Sequence, residues 1–194
     1  ADTVDFQLEE PTVVTLGKFD GRHRGHQKLL HTMEELKETL GYATAIFTFS
    51  TAPLSLVTGE AATVITTSEE RRHNMEKMGI DYLVEYPFTD DVRKMDPSVF
   101  VKDILVKRMR AKAMVVGPDC SFGYKGAGNV ELLRSLSKEL GFELYVIQKE
   151  KDHRRDISST YIREELSLGN VAKANELLGE PYAIHGIVVH GNHI

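Results

Sequence analysis

At 194 residues, 41% hydrophobic and 27% charged, the chain has the composition of an ordinary soluble domain and enough length to bury a core. Its net charge of −5 speaks against a general nucleic-acid or membrane-surface binder, which would be basic, but leaves room for a small anion in a locally positive pocket. The single cysteine, Cys120, excludes an intrachain disulfide or thiolate cluster; with no signal-peptide pattern in ADTVDFQLEE and no apolar run of spanning length, the cytoplasm is the expected location.

Thr12–Leu16 (TVVTL) is a short β-branched run and predicts a buried strand. After Arg24, Leu29, Leu30, Met33, Leu36 and Leu40 recur at helical spacing, with Gly41 as the stop. Residues 42–49 (YATAIFTF) predict a second strand. Thr67, Ser68 and Glu70 open a helix that ends near Met78, with Gly79 just beyond, and Tyr82–Tyr86 is the third strand. Asp96-Pro97 offers an acceptor at a cap and a proline in the first turn of a helix whose apolar face is Phe100, Val101, Ile104, Leu105 and Met109. Residues 113–116 form strand four, Asn129 caps a helix to Leu140 with Gly141 after it, and residues 144–148 form strand five. Two short helices follow, at about 159–168 and 171–178.

This strict alternation predicts an α/β fold, a doubly wound parallel five-stranded sheet with helices on both faces. Such sheets bind ligands at the carboxyl ends of their strands, where strand order reverses. Residues 183–190 break the pattern: they read as one more strand with no partner after it, a loose feature unless it borders a further domain.

Between the first strand and first helix lies TLGKFDGRHRGHQKLL, Thr15 to Leu30, with three glycines, two histidines, two arginines and an aspartate. Gly17 and Gly21 let the backbone leave the strand and come close to a ligand. His23 and His26 can place both rings on one side of the helix start, and Gly25 keeps that side clear. With the N–H groups and partial positive charge of a helix N-terminus, this predicts a phosphate cradle whose imidazoles donate to phosphate and, when protonated, neutralise charge there. The same spacing suits a solvated pair or half a zinc site, although no Cys, His or Glu pair supplies further ligands. The chain has no G-x-x-x-x-G-K-[ST] loop, which disfavours a P-loop NTPase.

HRGH, His23 to His26, resembles the HxGH motif of the nucleotidylyltransferase superfamily, and the whole Thr15 to Leu30 string resembles the start of the bacterial FAD synthetases, the riboflavin kinase/FMN adenylyltransferase family. VVGPDCSFGYKGAGN (Val115 to Asn129) is similar to that family's segment after the fourth strand. ISSTYIREELSLGNVAKANELLGEPY (Ile157 to Tyr182) is similar to its ISSTxIR motif and the linker into the kinase domain. The resemblance implies a Rossmann-like, HIGH-type nucleotidylyltransferase fold over residues 1–181, with 182–194 the start of a missing or truncated riboflavin kinase barrel. It implies transfer of AMP from ATP to FMN, giving FAD and pyrophosphate, with Mg²⁺ accompanying ATP, no metal ligand from the protein, and no riboflavin phosphorylation by this chain.

The resemblance also assigns residues. His23, His26 and Arg163 take the catalytic places, with both imidazoles on the α- and β-phosphates. Gly17, Phe19, Asp20, Gly21 and Gly25 become ATP contacts, as do Gly117, Asp119, Ser159 and Thr160. Ser159 and Thr160 at a helix start, with Arg163 one turn on, also suit an anion physically, although an ordinary capped helix with a surface arginine has the same pattern. Phe49, Pro53 and Phe122 become flavin contacts. The loop departs from the family's Pro-His-Pro-like stretch at Thr51-Ala52-Pro53, and Cys120 stands where the family often has an aromatic residue. KDHRRD (Lys151 to Asp156) reads as a solvated charge run, with Arg154 or Arg155, just ahead of ISSTYIR, the alternative source of positive field near the phosphates. A sister transferase with another phosphate acceptor, or a module that binds nucleotide or flavin without turnover, would share these features.

Overall fold

The computed structural model describes residues 4–50 and 63–190. Five parallel strands, β1 (Thr12–Leu16), β2 (Ala43–Phe49), β3 (Tyr82–Tyr86), β4 (Ala111–Val116) and β5 (Glu143–Val146), form a sheet in the order β3-β2-β1-β4-β5. The chain steps outward through β2 and β3, then crosses back to lay β4 on the other side of β1. Strand order therefore reverses between β1 and β4, and a crevice opens above their carboxyl ends.

Successive residues of β1 point to opposite faces. Val13, with Ile46, Ala113 and Val115, packs on Leu30 and Met33 of α1 (Arg24–Leu40) and Met75 of α2 (Ser68–Lys77). Val14, with Ala45, Phe47 and Met114, meets Phe100, Val101, Ile104 and Leu105 and, from α5 (Val130–Leu140), Leu133. Those four residues lie in a π-helical segment, Phe100–Arg108, that continues α4 (Pro97–Val99); a one-turn α3 (Asp90–Arg93) precedes it. Burial on both faces is why these strands read as continuous apolar runs. A third cluster joins α6 (Ser159–Ser167) and α7 (Val171–Leu178) through Ile162, Ala174 and Leu177 to Ile65 and Ile157. It presses α6 against the segment that leads into α2.

Local chemistry sets the helix ends. Gly41 closes α1 in the left-handed region (φ 68°), its N–H on the Lys37 carbonyl at 2.9 Å. Thr67 and Glu70 form a reciprocal capping box at the start of α2. Asp96 caps α4 through the amides of Ser98 and Val99, and Asn129 caps α5 through that of Leu132.

One sequence expectation is corrected. Residues 183–190 form no strand: a strand must pair its backbone and cover its apolar side chains, and among the described residues no other strand pairs with them. Val188 is 99% exposed; His185 is held by Glu70, which accepts from its backbone N–H and contacts its ring. The KDHRRD stretch keeps its charges largely in solvent, as its composition suggests, and folds as a tight hairpin, β6 (Lys151–Asp152) with β7 (Arg155–Asp156), turning at His153 with φ 53°. Among the described residues no helix is long and apolar enough to cross a membrane.

Candidate active site

The turn from β1 into α1 contains two unusual backbone conformations. Phe19 holds φ at 49° although it is not glycine, and Gly21 has φ 67° where a Cβ would stand 2.7 Å from the Ile65 side chain. His23 then caps α1, its Nδ1 accepting the His26 amide N–H at 3.3 Å. The two imidazoles stack with centroids 3.7 Å and planes 19° apart, and the buried Phe19 ring backs His26 at 4.7 Å. A Cβ on Gly25 would lie 3.2 Å from His23 Nδ1, so glycine lets the capping ring lie over the first turn.

Hydrogen-bond partners decide the tautomers. His26 Nδ1 stands 3.1 Å from the Gly21 carbonyl oxygen, which can only accept, so this nitrogen carries a proton. His23 Nδ1 accepts a backbone N–H and is bare, which puts its proton on Nε2. Burial pushes His23 down to about 3, with the adjacent His26 adding to the fall, and burial pushes His26 down to about 4. The free site therefore holds two neutral rings, offering one N–H at His23 Nε2 and one lone pair at His26 Nε2. Burial disfavours the charged form of both rings, so the charge neutralisation expected of protonated imidazoles would require a bound anion to raise their proton affinity.

The expected nucleotide contact Asp20 spends its carboxylate inside the protein. Oδ1 accepts from the amides of Ile65 at 2.8 Å and Thr66 at 3.1 Å, while Oδ2 receives Arg163 Nη1 at 2.7 Å. The Asp20 carbonyl accepts the Ser159 hydroxyl at 2.6 Å, and Gly21 N–H donates to Thr66 Oγ1 at 3.2 Å. Ser158, not Ser159, caps α6 by accepting from Tyr161 N–H. Thr160 is exposed, with Arg163 Nη2 donating to its hydroxyl at 3.4 Å. His23, His26, Ser159 and Arg163 thus converge on one turn at the β1/β4 switch point, across which Gly21 turns its carbonyl to His26 and its N–H to Thr66.

Beside this turn a cavity of about 820 Å³ opens at the carboxyl ends of β1 and β2. Its walls include Gly17, Lys18, Phe49, Thr66, Arg71 and Arg163, with Asp20 and Asp119 also in the lining, so cations, carboxylates and hydroxyls border a floor of apolar side chains such as Phe47 and Phe100. Phe49 is braced edge-on by Phe88 at 4.8 Å. Arg71 is nearly buried and meets buried Glu85 at 3.1 Å, and Arg72 holds the other Glu85 oxygen at 2.6 Å. Nothing in SEERR distinguishes Arg71 from a helix-surface charge; only the position of β3 brings Glu85 beneath it. Segment 63–68, which forms one wall, carried no sequence signal beyond its capping box.

Of the other expected contacts, Phe19 and Phe122 fall outside the cavity lining, whereas Asp119 is part of it. Phe19 is a buried support for His26, which keeps its ring from a ligand. Phe122 is 7% exposed, packs on Phe100 at 5.7 Å and pairs its backbone with Gly128, so the core claims it and not the flavin. Asp119 is ion-paired with Lys149 at 2.7 Å, and a Cβ on Gly117 would come 3.2 Å from its Oδ1. Burial, reinforced by Asp119, pushes the Cys120 thiol up to about 12. Arg155 lies 3.8 Å over the Tyr161 ring and bonds Glu164, facing α6 and not the imidazoles. Pro53, with Thr51 and Ala52, lies outside the described residues.

Residues 5–161 match the family model described as FAD synthetase. The chain is 35% identical over 187 residues to the bifunctional riboflavin kinase/FMN adenylyltransferase of Escherichia coli strain K12, covering 96% of this chain and 60% of that protein. It therefore spans about 60% of the length of the curated relatives it matches. A crystal structure described as a macrolide-efflux protein from Streptococcus pneumoniae superposes with TM-score 0.85 at 28% identity, over 99% of this chain and 64% of that one. Pantoate-beta-alanine ligase from Francisella tularensis, crystallised with beta-gamma ATP and beta-alanine, shares the fold alone: TM-score 0.54 at 12% identity, over 88% and 70% of the two chains. With the family model covering most of its length and its motifs gathered at one switch point, the chain belongs to the FAD synthetase family.

Proposed function

We propose that residues 1–181 act as an FMN adenylyltransferase, joining AMP from ATP to FMN and releasing pyrophosphate. The observation that carries this reading is the meeting of the His23–His26 turn and the start of α6 on Asp20, next to a cavity large enough for a flavin. The attacking oxygen belongs to the FMN phosphate, which is anionic near neutral pH, so no general base or covalent residue is needed. The protein's part is positioning and electrostatic stabilisation.

In this reading the flavin ring enters the cavity against Phe49, and the triphosphate runs across the N-termini of α1 and α6. His23 donates Nε2–H to a phosphate oxygen. His26 Nε2 starts bare; the anion's field favours its protonation and makes it a second donor. Arg163, Thr160 and the free amides of the first turn of α6 hold the pyrophosphate as it leaves. Gly17 and Gly21 let the backbone approach, and Gly117 with Asp119 borders the ribose. Mg²⁺ is a hard cation that keeps its water, and we assign it to the ATP phosphates, where it would offset their charge. Residues 182–194 lead toward the kinase part named in the relatives' descriptions, and a cytoplasmic location belongs to the same reading.

The test is formation of FAD by the purified chain, with FMN, phosphopantetheine or nicotinamide mononucleotide offered beside Mg·ATP. FAD from FMN, with negligible pyrophosphate from the other acceptors, is the expected result. Pyrophosphate release driven by a different acceptor, or binding with no release, would overturn the assignment.

A further inference from the structure

The Asp20 carboxylate touches three segments that are far apart in the chain. Its own turn follows β1, Ile65 and Thr66 belong to the 63–68 segment that walls the cavity ahead of α2, with Thr66 itself in the lining, and Arg163 belongs to α6. The side chain is only 10% exposed, and two backbone amides fix Oδ1, so it cannot swing with solvent. Oδ2, the remaining oxygen, faces Arg163.

We infer that Asp20 is a positioning residue that aims the Arg163 guanidinium and, through the amides of residues 65 and 66, pins the 63–68 wall of the cavity, so that the phosphate grip and the acceptor pocket share one geometry. The inference rests on the transferase reading only for the identity of the ligands. A guanidinium has five N–H donors in a rigid fork. Asp20 and Thr160 engage Nη1 and Nη2, and Arg163 still lines the cavity with 31% of its side chain exposed. The carboxylate thus orients the fork while leaving donors for an anion. The hydroxyl of Ser159, bonded to the Asp20 carbonyl, fixes the start of α6 to the same residue from the other side.

The two oxygens can be separated by substitution. Asp20→Asn keeps a carbonyl oxygen for the Ile65 and Thr66 amides but turns an NH₂ toward Arg163, whereas Asp20→Ala removes both functions. Titration calorimetry with Mg·ATP and, separately, with FMN should show Asp20→Asn weakening ATP roughly tenfold while FMN changes less than about twofold. Asp20→Ala should weaken both. Adding Arg163→Met to Asp20→Asn should cost little beyond Arg163→Met alone, because the aspartate acts through the arginine.

Unchanged ATP affinity in folded Asp20→Asn, or losses that multiply in the double variant, would overturn the inference. Tighter ATP binding would overturn it too, by making Asp20 a lock that competes with phosphate. If Asp20→Asn does not fold, Asp20→Glu keeps the charge but lengthens the arm; it should weaken ATP, and wild-type ATP affinity in that variant refutes the aiming role. A wild-type chain that binds ATP and FMN without making FAD would sink the transferase reading and leave this cycle to decide on Asp20. A chain that binds neither ligand overturns both.

Discussion

Acidification should destabilise this fold through its stacked imidazoles. In the unfolded chain each histidine titrates near 6.5; in the fold, burial holds His23 down to about 3 and His26 to about 4. Between these limits the unfolded chain binds more protons than the folded one, so stability is present above 6.5 and falls as the pH drops through that window. Each neutral ring gives up about 1.4 kcal/mol per pH unit, so going from pH 6.5 to 5 removes about 2 kcal/mol per imidazole and up to about 4 for the pair. Against a typical total of about 5–15 kcal/mol that is a large fraction. Urea unfolding of the wild type and His26→Asn at pH 7.5, 6.5, 5.5 and 5.0 isolates the term, since the remaining titrating groups cancel in the difference. The advantage of the wild type should shrink by roughly 2 kcal/mol between the ends of that series. Parallel curves for the two proteins would refute the argument that His26 is held neutral by burial.

Further outcomes follow from the same geometry. His26→Ala should retain the fold and lose on the order of 10²–10³ in FAD turnover, the scale for removing one preorganised charge-stabilising donor; turnover near wild type would remove the imidazole from the phosphate path. Gly21→Ala forces an L side chain to φ 67° with its Cβ 2.7 Å from Ile65, and should cost about 1–3 kcal/mol in urea unfolding. An unchanged midpoint would mean that the turn relaxes freely. Arg71→Leu leaves buried Glu85 with Arg72 as its remaining partner and should cost about 3 kcal/mol, the low end for breaking a buried pair, with Arg71→Leu/Glu85→Leu recovering much of it. Equal stability of the wild type and the single variant would show that the pair is not needed for folding.

What could be read along the chain is what depends on near neighbours. The β-branched run of β1, the helical spacing from Leu29 to Leu40 with Gly41 behind it, and the caps at Asp96 and Asn129 all express interactions spanning a few residues, and the strands and helices form where those patterns stand. Alternation of the two element types was enough for a parallel, doubly wound sheet, because parallel neighbours require crossovers. The His23-x-Gly25-His26 cap is equally local, which is why the turn and its paired rings were legible as a candidate anion site. Residues 183–190 mark the limit of this reasoning: their composition favours a strand, but pairing is a property of two segments, and here the second is missing among the described residues.

Tertiary structure decided everything that depends on burial or on a distant partner. Asp20 could have faced a nucleotide until the 65–66 amides and Arg163 closed on it. Phe122 could have faced a flavin until Phe100 and Gly128 enclosed it, and Arg71 was a surface charge until β3 set Glu85 beneath it. The charge of His23 and His26 belongs to the same class, since a ring's protonation follows from how much water and which neighbours packing leaves beside it. By itself the sequence determined the order of the five sheet strands and the main helices, several of the helix caps, and the residue types gathered at the β1/β4 crevice. Which of those side chains point outward and which are consumed in holding the others was settled only by contacts between residues many tens of positions apart, whose energies do not exist until the sheet has formed.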